Sequence, residues 1–202
     1  MHMKQYTITC VSGQPDWSCV PALAVDHFNW TEKVDIQMRA QICYNEDGLY
    51  LHLQACEKEI RAEYTGPLAD VYEDSCMEFF FCPEADDPRY FNFEMNPNGS
   101  MFIGFGYDDP RPVRLVLPEE DTFLQKKMQR TADGWEAFFT VPIALISSFY
   151  PGYRLESGKK IRANCYKCGD KTVEPHYISW NPMTHPTPRF HKPEDFGEMT
   201  LA

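Results

Sequence analysis

The sequence predicts an all-β protein, a jelly-roll-type β-sandwich of two antiparallel sheets with one short connecting helix, formed by residues 1–202 as a single domain. Three observations predict this fold. Apolar and polar residues alternate with period two through most of the chain, as in strands with one buried face. Sixteen prolines and eleven glycines imply many turns. Hydrophobic residues make up 43% of the sequence, which is enough for a substantial core.

The predicted elements follow from this alternation in chain order. Residues 34–42 and 49–55 form a hairpin around the turn Asn45-Glu46-Asp47-Gly48, because apolar side chains alternate on both sides of that turn. Further strands are predicted near residues 76–82, 90–96, 100–106, 123–131, 135–141, 161–168, 176–180 and 196–201. The helix is predicted at residues 142–149, where a proline occupies a first-turn position.

Charge and cysteine content narrow the classes of partner and compartment. Lys and Arg number 19 against 30 Asp and Glu, so an acidic chain without a basic run disfavours nucleic acid and anionic membranes as partners. No apolar run reaches the roughly 20 residues of a membrane-spanning helix. The N-terminus shows no apolar segment of a signal peptide. We therefore expect a cytoplasmic protein whose eight cysteines are free thiols.

Three of the predicted strands carry polar side chains on the face opposite the core. Side chains alternate between the two faces of a strand, so residues 76–82, 90–96 and 161–168 each have one apolar and one polar side. The polar set is Glu78, Asn92, Glu94, Arg162, Asn164 and Tyr166. If the strands share a sheet, these groups form an array of donors and acceptors suited to a polyhydroxylated ligand. The alternative is an ordinary solvated face.

Two glutamates on this face raise the question of catalysis. A glycosidase needs two carboxyl groups about 5–10 Å apart, one of them with a raised pKa. Glu78 and Glu94 on neighbouring strands meet the first condition. Arg162 on the same face is expected to keep both ionised, which suits hydrogen bonding better than proton donation. We therefore predict that the protein is not an enzyme.

Metal and cofactor signals in the sequence are weak. Cys165 and Cys168 form a CxxC pair, but an odd offset along a strand sends the two sulfurs to opposite faces. The acidic pairs Asp86-Asp87 and Asp108-Asp109 are consistent with either calcium ligands or solvated turns. We predict no metal and no cofactor, with calcium as the one alternative. His191 is a candidate ligand-binding residue or a loop anchor.

Several stretches resemble family 9 carbohydrate-binding modules and the wider DOMON-like sandwiches. They are Asp74-Ser-Cys-Met-Glu-Phe-Phe-Phe81, Tyr90-Phe-Asn-Phe-Glu-Met-Asn96, Gly134-Trp-Glu-Ala-Phe-Phe-Thr-Val-Pro142, Arg162-Ala-Asn-Cys-Tyr166, Tyr177-Ile-Ser-Trp-Asn-Pro182 and Phe190-His-Lys-Pro-Glu-Asp-Phe-Gly197. The resemblance implies a jelly-roll sandwich that binds sugar without catalysis.

The resemblance also implies site residues. Better-known family members clamp a sugar between two aromatic rings, which correspond to Trp180 and, where the family has tryptophan, Tyr72. The conserved strand glutamate of the family corresponds to Glu78, and further polar contacts are implied on the strand that holds Arg162 and Asn164. The wider resemblance leaves two other functions open: a DOMON-type haem-binding electron-transfer domain, or a small glycoside hydrolase.

Overall fold

The computed structural model describes residues 3–109 and 111–202. Its strands are β1 Gln5–Cys10, β2 Ala22–Val25, β3 His27–Phe28, β4 Gln37–Tyr44, β5 Gly48–Cys56, β6 Cys76–Cys82, β7 Tyr90–Met95, β8 Met101–Gly106, β9 Val113–Leu115, β10 Lys127–Arg130, β11 Gly134–Pro142, β12 Lys160–Cys168, β13 Tyr177–Ser179 and β14 Gly197–Leu201. Two short α-helices, α1 Glu120–Phe123 and α2 Ile143–Ser147, accompany three 3-10 turns. No helix in these ranges is long and apolar enough to cross a membrane.

The strands form two sheets that β1 connects. The front sheet runs in the order β14-β12-β6-β7-β8-β9. Strand β13 pairs with the last three residues of β12, and β3 pairs with β13. The back sheet runs β10-β11-β5-β4, with β2 beside β4. The first half of β1 pairs in parallel with β14 and its last two residues pair in parallel with β4. One strand therefore hydrogen-bonds to both sheets.

The main core fills the space between the two sheets. Phe79, Phe81 and Phe93 of the front sheet are fully buried and face the back sheet. The ring centroids of Phe93 and Phe139, one from each sheet, lie 5.7 Å apart. Every second residue of β6 and β7 is an aromatic residue or a methionine, which is the alternation from which the strands were predicted. The burial of these side chains between the sheets removes apolar surface from water.

A second, smaller apolar cluster lies on the outer face of the front sheet. Residues 180–196, here called the covering loop, cross this face and bury its central part. Phe190 of the loop stacks on Tyr166 of β12 with ring centroids 4.1 Å apart. Phe196 meets the ring of Phe80 edge-on at 6.4 Å. The outer face is thus open to solvent only beyond the reach of this loop.

The predicted all-β sandwich is confirmed, with two differences in detail. The sheets are not wholly antiparallel, because β1 lies parallel to both of its neighbours. The start of the predicted strand 123–131 is helical: α1 precedes β10, and the Lys126 ammonium bonds the Glu120 carboxylate at 2.6 Å across that turn. The predicted helix forms as α2, with Pro142 as its N-cap residue.

Candidate functional site

A cavity of about 860 Å³ opens at the uncovered end of the outer face. Residues of β6, β7, β8 and β12 contribute its floor, and the covering loop together with the segment around β9 contributes its walls. Its lining includes the rings of Tyr72, Phe102, Tyr177, Phe190 and His191, the carboxyl groups of Glu78, Glu94 and Asp170, and the guanidinium groups of Arg111, Arg114 and Arg189. Rings and charged groups therefore surround one space.

Glu78 and Glu94 form the floor of the cavity. They lie directly opposite each other on the antiparallel strands β6 and β7, a position that brings the side chains of one face together. The Asn92 amide donates to Glu94 Oε1 at 2.8 Å, and the Cys168 thiol donates to Glu78 Oε1 at 3.0 Å. Each glutamate therefore keeps an acceptor position free on the side of the cavity, since a carboxyl group has about four lone-pair sites.

Burial changes the ionisation of both floor carboxyl groups. It raises the pKa of Glu94 to about 7, against the hydrogen bond from Asn92 and the positive charge of Arg114. Burial also holds the pKa of Glu78 well above its usual range, and the acidic neighbours Cys168 and Glu94 raise it further. The prediction that Arg162 keeps both groups ionised is wrong. Its guanidinium instead donates to the carbonyls of Ala85 and Pro193, at 2.8 and 3.0 Å.

Aromatic rings form the walls on either side of the acidic floor. Tyr72 lies in the 3-10 turn before β6 and is 38% exposed. It is more exposed than the other four rings of the cavity, which are those of Phe102, Tyr177, Phe190 and His191. The Arg114 guanidinium lies 4.4 Å from the ring centroid of Phe102, so that ring is held in place by a cation. Trp30 supports Tyr177 from behind at a centroid distance of 5.8 Å. These rings offer apolar faces next to hydrogen-bonding groups.

His191 lies where the covering loop meets the floor. Its Nδ1 is 2.7 Å from the Tyr90 hydroxyl, and its Nε2 is 3.7 Å from Glu94 Oε1. Its ring packs on Phe80 at a centroid distance of 5.0 Å. Burial lowers the pKa of His191 to about 4, so the imidazole is neutral at physiological pH. His191 thus both anchors the loop and lines the cavity.

Four other residues of the predicted polar face lie beneath the covering loop. Asn164 donates to the Asn181 carbonyl at 3.0 Å, and the Tyr166 hydroxyl lies 3.3 Å from the Phe190 carbonyl. The Arg162 guanidinium donates to the carbonyls of Ala85 and Pro193. Asn92 is fully buried and touches the cavity only through Glu94. A continuous polar array is therefore wrong: these side chains hold the loop and the floor in position instead of meeting a ligand.

Trp180, which the resemblance implies as one ring of a sugar clamp, does not reach the cavity. Its side chain is 4% exposed and belongs to the main core, while the cavity lies on the opposite side of the sheet. The alternation along β13 explains this placement. Ile178 and Trp180 point into the core, and Tyr177 and Ser179 point the other way. The alternation of side chains along this strand therefore predicts that Tyr177, and not Trp180, faces the cavity.

Other cavity residues carried different signals in the sequence. Phe102 follows from the alternation of β8, since its neighbours Met101 and Ile103 face the core. No sequence pattern indicated Asp170 or Arg114, because both lie in segments whose path depends on tertiary contacts. Arg114 donates to the Leu68 carbonyl at 2.8 Å and so ties β9 to the loop before β6.

In each acidic pair weighed as a calcium site, one carboxylate is paired with an arginine. Asp87 bonds Arg89, with its Oδ2 2.9 Å from the guanidinium Nε, and Asp108 bonds Arg189. The methionines that a haem would use, Met95 and Met101, both point into the main core.

A second cavity of about 610 Å³ lies at the far end of the back sheet. Its lining includes Asp35, Lys58, Arg130 and Asp133 and contains no aromatic side chain. A polar cleft without rings offers no apolar face to a ligand. The cavity above Glu78 and Glu94 is therefore the candidate site.

Comparisons with known proteins agree with this geometry. The model of "Carbohydrate-binding family 9" matches residues 16–201. A putative carbohydrate-binding protein from Bacteroides uniformis shares 26% identity with a TM-score of 0.87, over 100% of both chains. A family 9 module from Caldicellulosiruptor kristjanssonii, solved with glucose, shares 11% identity over 98% and 96% of the two chains, with a TM-score of 0.71. Its structure with cellotriose also gives 0.71, at 12% identity over 98% and 93%. No curated protein matches.

Proposed function

This chain belongs to carbohydrate-binding family 9, and on that premise we propose that its cavity binds a mono- or oligosaccharide without catalysing a reaction. The B. uniformis protein is described as a putative carbohydrate-binding protein, and the C. kristjanssonii module binds glucose and cellotriose. Both share the fold of this chain. The proposal extends their ligand class, carbohydrate, to the cavity of this protein.

The observation that carries the proposal is the acidic pair set between aromatic rings. Each sugar hydroxyl both donates and accepts hydrogen bonds, and carboxyl groups are strong acceptors for the donated proton. A pyranose also has apolar C–H faces that lie against rings such as Tyr72 and Tyr177. The cavity presents both kinds of group at once. This combination suits a sugar better than a purely apolar or a purely charged ligand.

Calorimetric titration with a panel of sugars, including glucose and cellotriose, tests the proposal. We expect a dissociation constant on the order of micromolar to millimolar, about 4–8 kcal/mol, because the hydrogen bonds of a small site replace those to water. Glu78→Ala should remove an acceptor at the floor. A hydrogen bond contributes about 0.5–1.5 kcal/mol to a neutral partner and about 1.5–3 kcal/mol to a charged one, so the affinity should fall by about 2- to 150-fold.

Glu46→Gln is the matched control for that variant. Glu46 is an exposed glutamate in the turn between β4 and β5, outside the cavity lining. It should leave both the affinity and the thermal midpoint unchanged. A titration without heat for every sugar of the panel, or an equal loss of affinity in the two variants, would contradict the proposal.

Sugar binding should weaken as the pH falls below neutrality. The pKa of Glu94 is raised to about 7 by burial, so above pH 7 its carboxylate accepts hydrogen bonds from hydroxyls, and below pH 7 it becomes protonated. The affinity should therefore decrease between pH 8 and pH 6. Calorimetry across that range measures it, and Glu94→Gln, which cannot titrate, should flatten the profile. A wild-type affinity that is constant or rises on acidification would refute this role for Glu94.

The paired carboxyl groups also favour a second candidate function, glycoside hydrolysis. Two neighbouring glutamates with raised pKa values are a feature of acid catalysis as well as of binding. Membership in a family of binding modules argues for binding alone. A panel of chromogenic glycosides separates the two functions. Sustained release of the chromophore that disappears in Glu78→Gln would show hydrolysis, and we expect none.

A further inference from the structure

Two cysteines from neighbouring strands meet at the floor of the cavity. Cys165 and Cys168, the CxxC pair of the sequence, lie on opposite faces of β12, with Cys165 in the main core and Cys168 in the outer cluster. They cannot bind one metal ion together. The same alternation places Cys168 directly opposite Cys76 of β6, and Glu78 follows Cys76 by two residues on that face. Two thiols and a carboxyl group therefore converge.

We propose that Cys76, Cys168 and Glu78 form a binding site for Zn²⁺ or a similar thiophilic divalent cation. One ligand atom from each residue lies within 4.8 Å of the other two. Glu78 Oε1 is 3.0 Å from Cys168 Sγ and 3.8 Å from Cys76 Sγ. Within residues 3–109 and 111–202, this is the one group of three potential ligands that meets so closely. The site shares Glu78 with the floor of the proposed sugar cavity, but the inference does not rest on sugar binding.

The spacing of these atoms is close to that of a tetrahedral zinc site. Zinc bonds thiolates at about 2.3 Å and carboxylates at about 2.0–2.2 Å, so neighbouring ligand atoms lie roughly 3.6–3.8 Å apart. The two sulfur-to-oxygen distances, 3.0 Å and 3.8 Å, bracket that value. Small rotations of the side chains suffice to reach it, and the two strands that carry them are held by an unbroken hydrogen-bonded ladder from Arg162 to Cys168. The ligand set of two sulfurs and one oxygen favours zinc over calcium or magnesium.

The surroundings leave one coordination position on the side of the cavity. Cys168 and Glu78 line the cavity, which gives an ion a route to the site, whereas Cys76 lies fully buried behind them. Three protein ligands with a fourth position open is the arrangement of zinc sites that keep an exchangeable ligand. The Lys167 ammonium donates to the Cys168 carbonyl at 3.1 Å, so a cation lies close to the strand that carries one of the thiolates. This ammonium is also paired with the Glu57 carboxylate at 3.2 Å, and it lowers the pKa of Cys76 against the larger effect of burial.

Metal binding must release protons. A thiol binds zinc as a thiolate, so the protons of the two sulfurs must leave when the ion binds. On binding, two Zn–S bonds and one Zn–O bond replace three bonds from zinc to water. Both thiol protons, and the proton of Glu78 where it carries one, pass to the solvent. The affinity for Zn²⁺ therefore increases with pH.

Titration of the reduced protein with Co²⁺ tests the site directly. The exposed cysteines Cys10 and Cys19 are first replaced by serine in all samples, so that they cannot compete. One Co²⁺ per chain should produce a thiolate-to-cobalt charge-transfer band, and Zn²⁺ should displace it. Cys76→Ser and Cys168→Ser should each abolish the band and weaken Zn²⁺ binding at least tenfold. Cys82→Ser is the matched control, since Cys82 is buried on the same face of β6 but far from Glu78 along the strand.

The outcomes decide the proposal even where a variant fails to fold. X-ray absorption of the zinc-loaded protein that keeps all three ligands should show two sulfur neighbours and at least one oxygen. A metal shell of oxygen and nitrogen alone would overturn the site. So would the absence of a charge-transfer band, or a band that persists unchanged in Cys168→Ser. Because these measurements use no sugar, a failure of sugar binding has no bearing on them.

Discussion

Trp180→Ala should lower the free energy of unfolding by about 3–5 kcal/mol, the range for large aromatic residues truncated in a packed core. The indole is 4% exposed, and the edge of its six-membered ring lies against Gly197 of β14. A Cβ atom added at Gly197 would come within 2.5 Å of Trp180 Cζ3, so no room separates the ring from that strand. Truncation leaves a cavity between β13 and β14 that neither strand can fill.

Chemical denaturation of wild type and variant measures this loss. Tyr72→Ala is the comparison, because Tyr72 is exposed and lines the sugar cavity. It should leave the free energy of unfolding nearly unchanged and cost about 1–3 kcal/mol of sugar binding, by analogy with rings stacked on bases. A stable Trp180→Ala protein that no longer binds sugar would reverse the assignment and make Trp180 the stacking ring.

Lys167→Met should destabilise the protein by a similar amount, about 3–5 kcal/mol, because it breaks a buried ion pair from one side. The Lys167 ammonium lies 3.2 Å from Glu57 Oε2 and 2.9 Å from His176 Nε2, and it is fully buried. Without it, the Glu57 carboxylate keeps only hydrogen bonds from Ser75 and from the Trp135 indole, at 2.9 and 2.7 Å. The variant is destabilised because a buried carboxylate is left without a counter-charge.

The double variant Lys167→Met/Glu57→Gln provides the control for this second expectation. It removes the negative charge of Glu57, which Lys167→Met leaves without a partner, and should recover part of the stability lost in that single variant. A double-mutant cycle by chemical denaturation then gives the coupling between the two residues. Equal stability of Lys167→Met and wild type would show that the pair contributes nothing, and a double variant less stable than either single one would contradict the charge argument.

Much of the fold could be predicted from the sequence because alternation determines which side of a strand is buried. The strands with strong alternation, such as β4, β6 and β12, form where they were expected. Strands β1, β2, β3 and β9 were not predicted, since they are short or mostly exposed. In addition, β1 pairs with β14, which lies far along the chain. Pairing with a distant strand leaves no local pattern to detect.

The site was only partly predictable, for a physical reason that Asn164 and Tyr166 illustrate. Their side of β12 was assigned correctly, but alternation cannot tell whether that side meets a ligand or a loop. The covering loop decides this question, and its path follows from contacts such as that of Asn181 with the Asp195 carbonyl at 2.8 Å. Glu78, Glu94 and Tyr72 lie outside the covered part and reach the cavity, and His191 lines the cavity from the loop itself.

The position of β1 has a consequence for the order in which the chain folds. Gln5–Ile8 pair with Glu198–Leu201, so almost the whole length of the chain separates the two partners. Closing so long a loop is entropically expensive and slow, and contacts of this kind raise the contact order of the protein. During synthesis, β1 cannot pair with β14 until the ribosome has completed β14. The link between the two sheets therefore forms late, after hairpins such as β4–β5 and β6–β7 are in place.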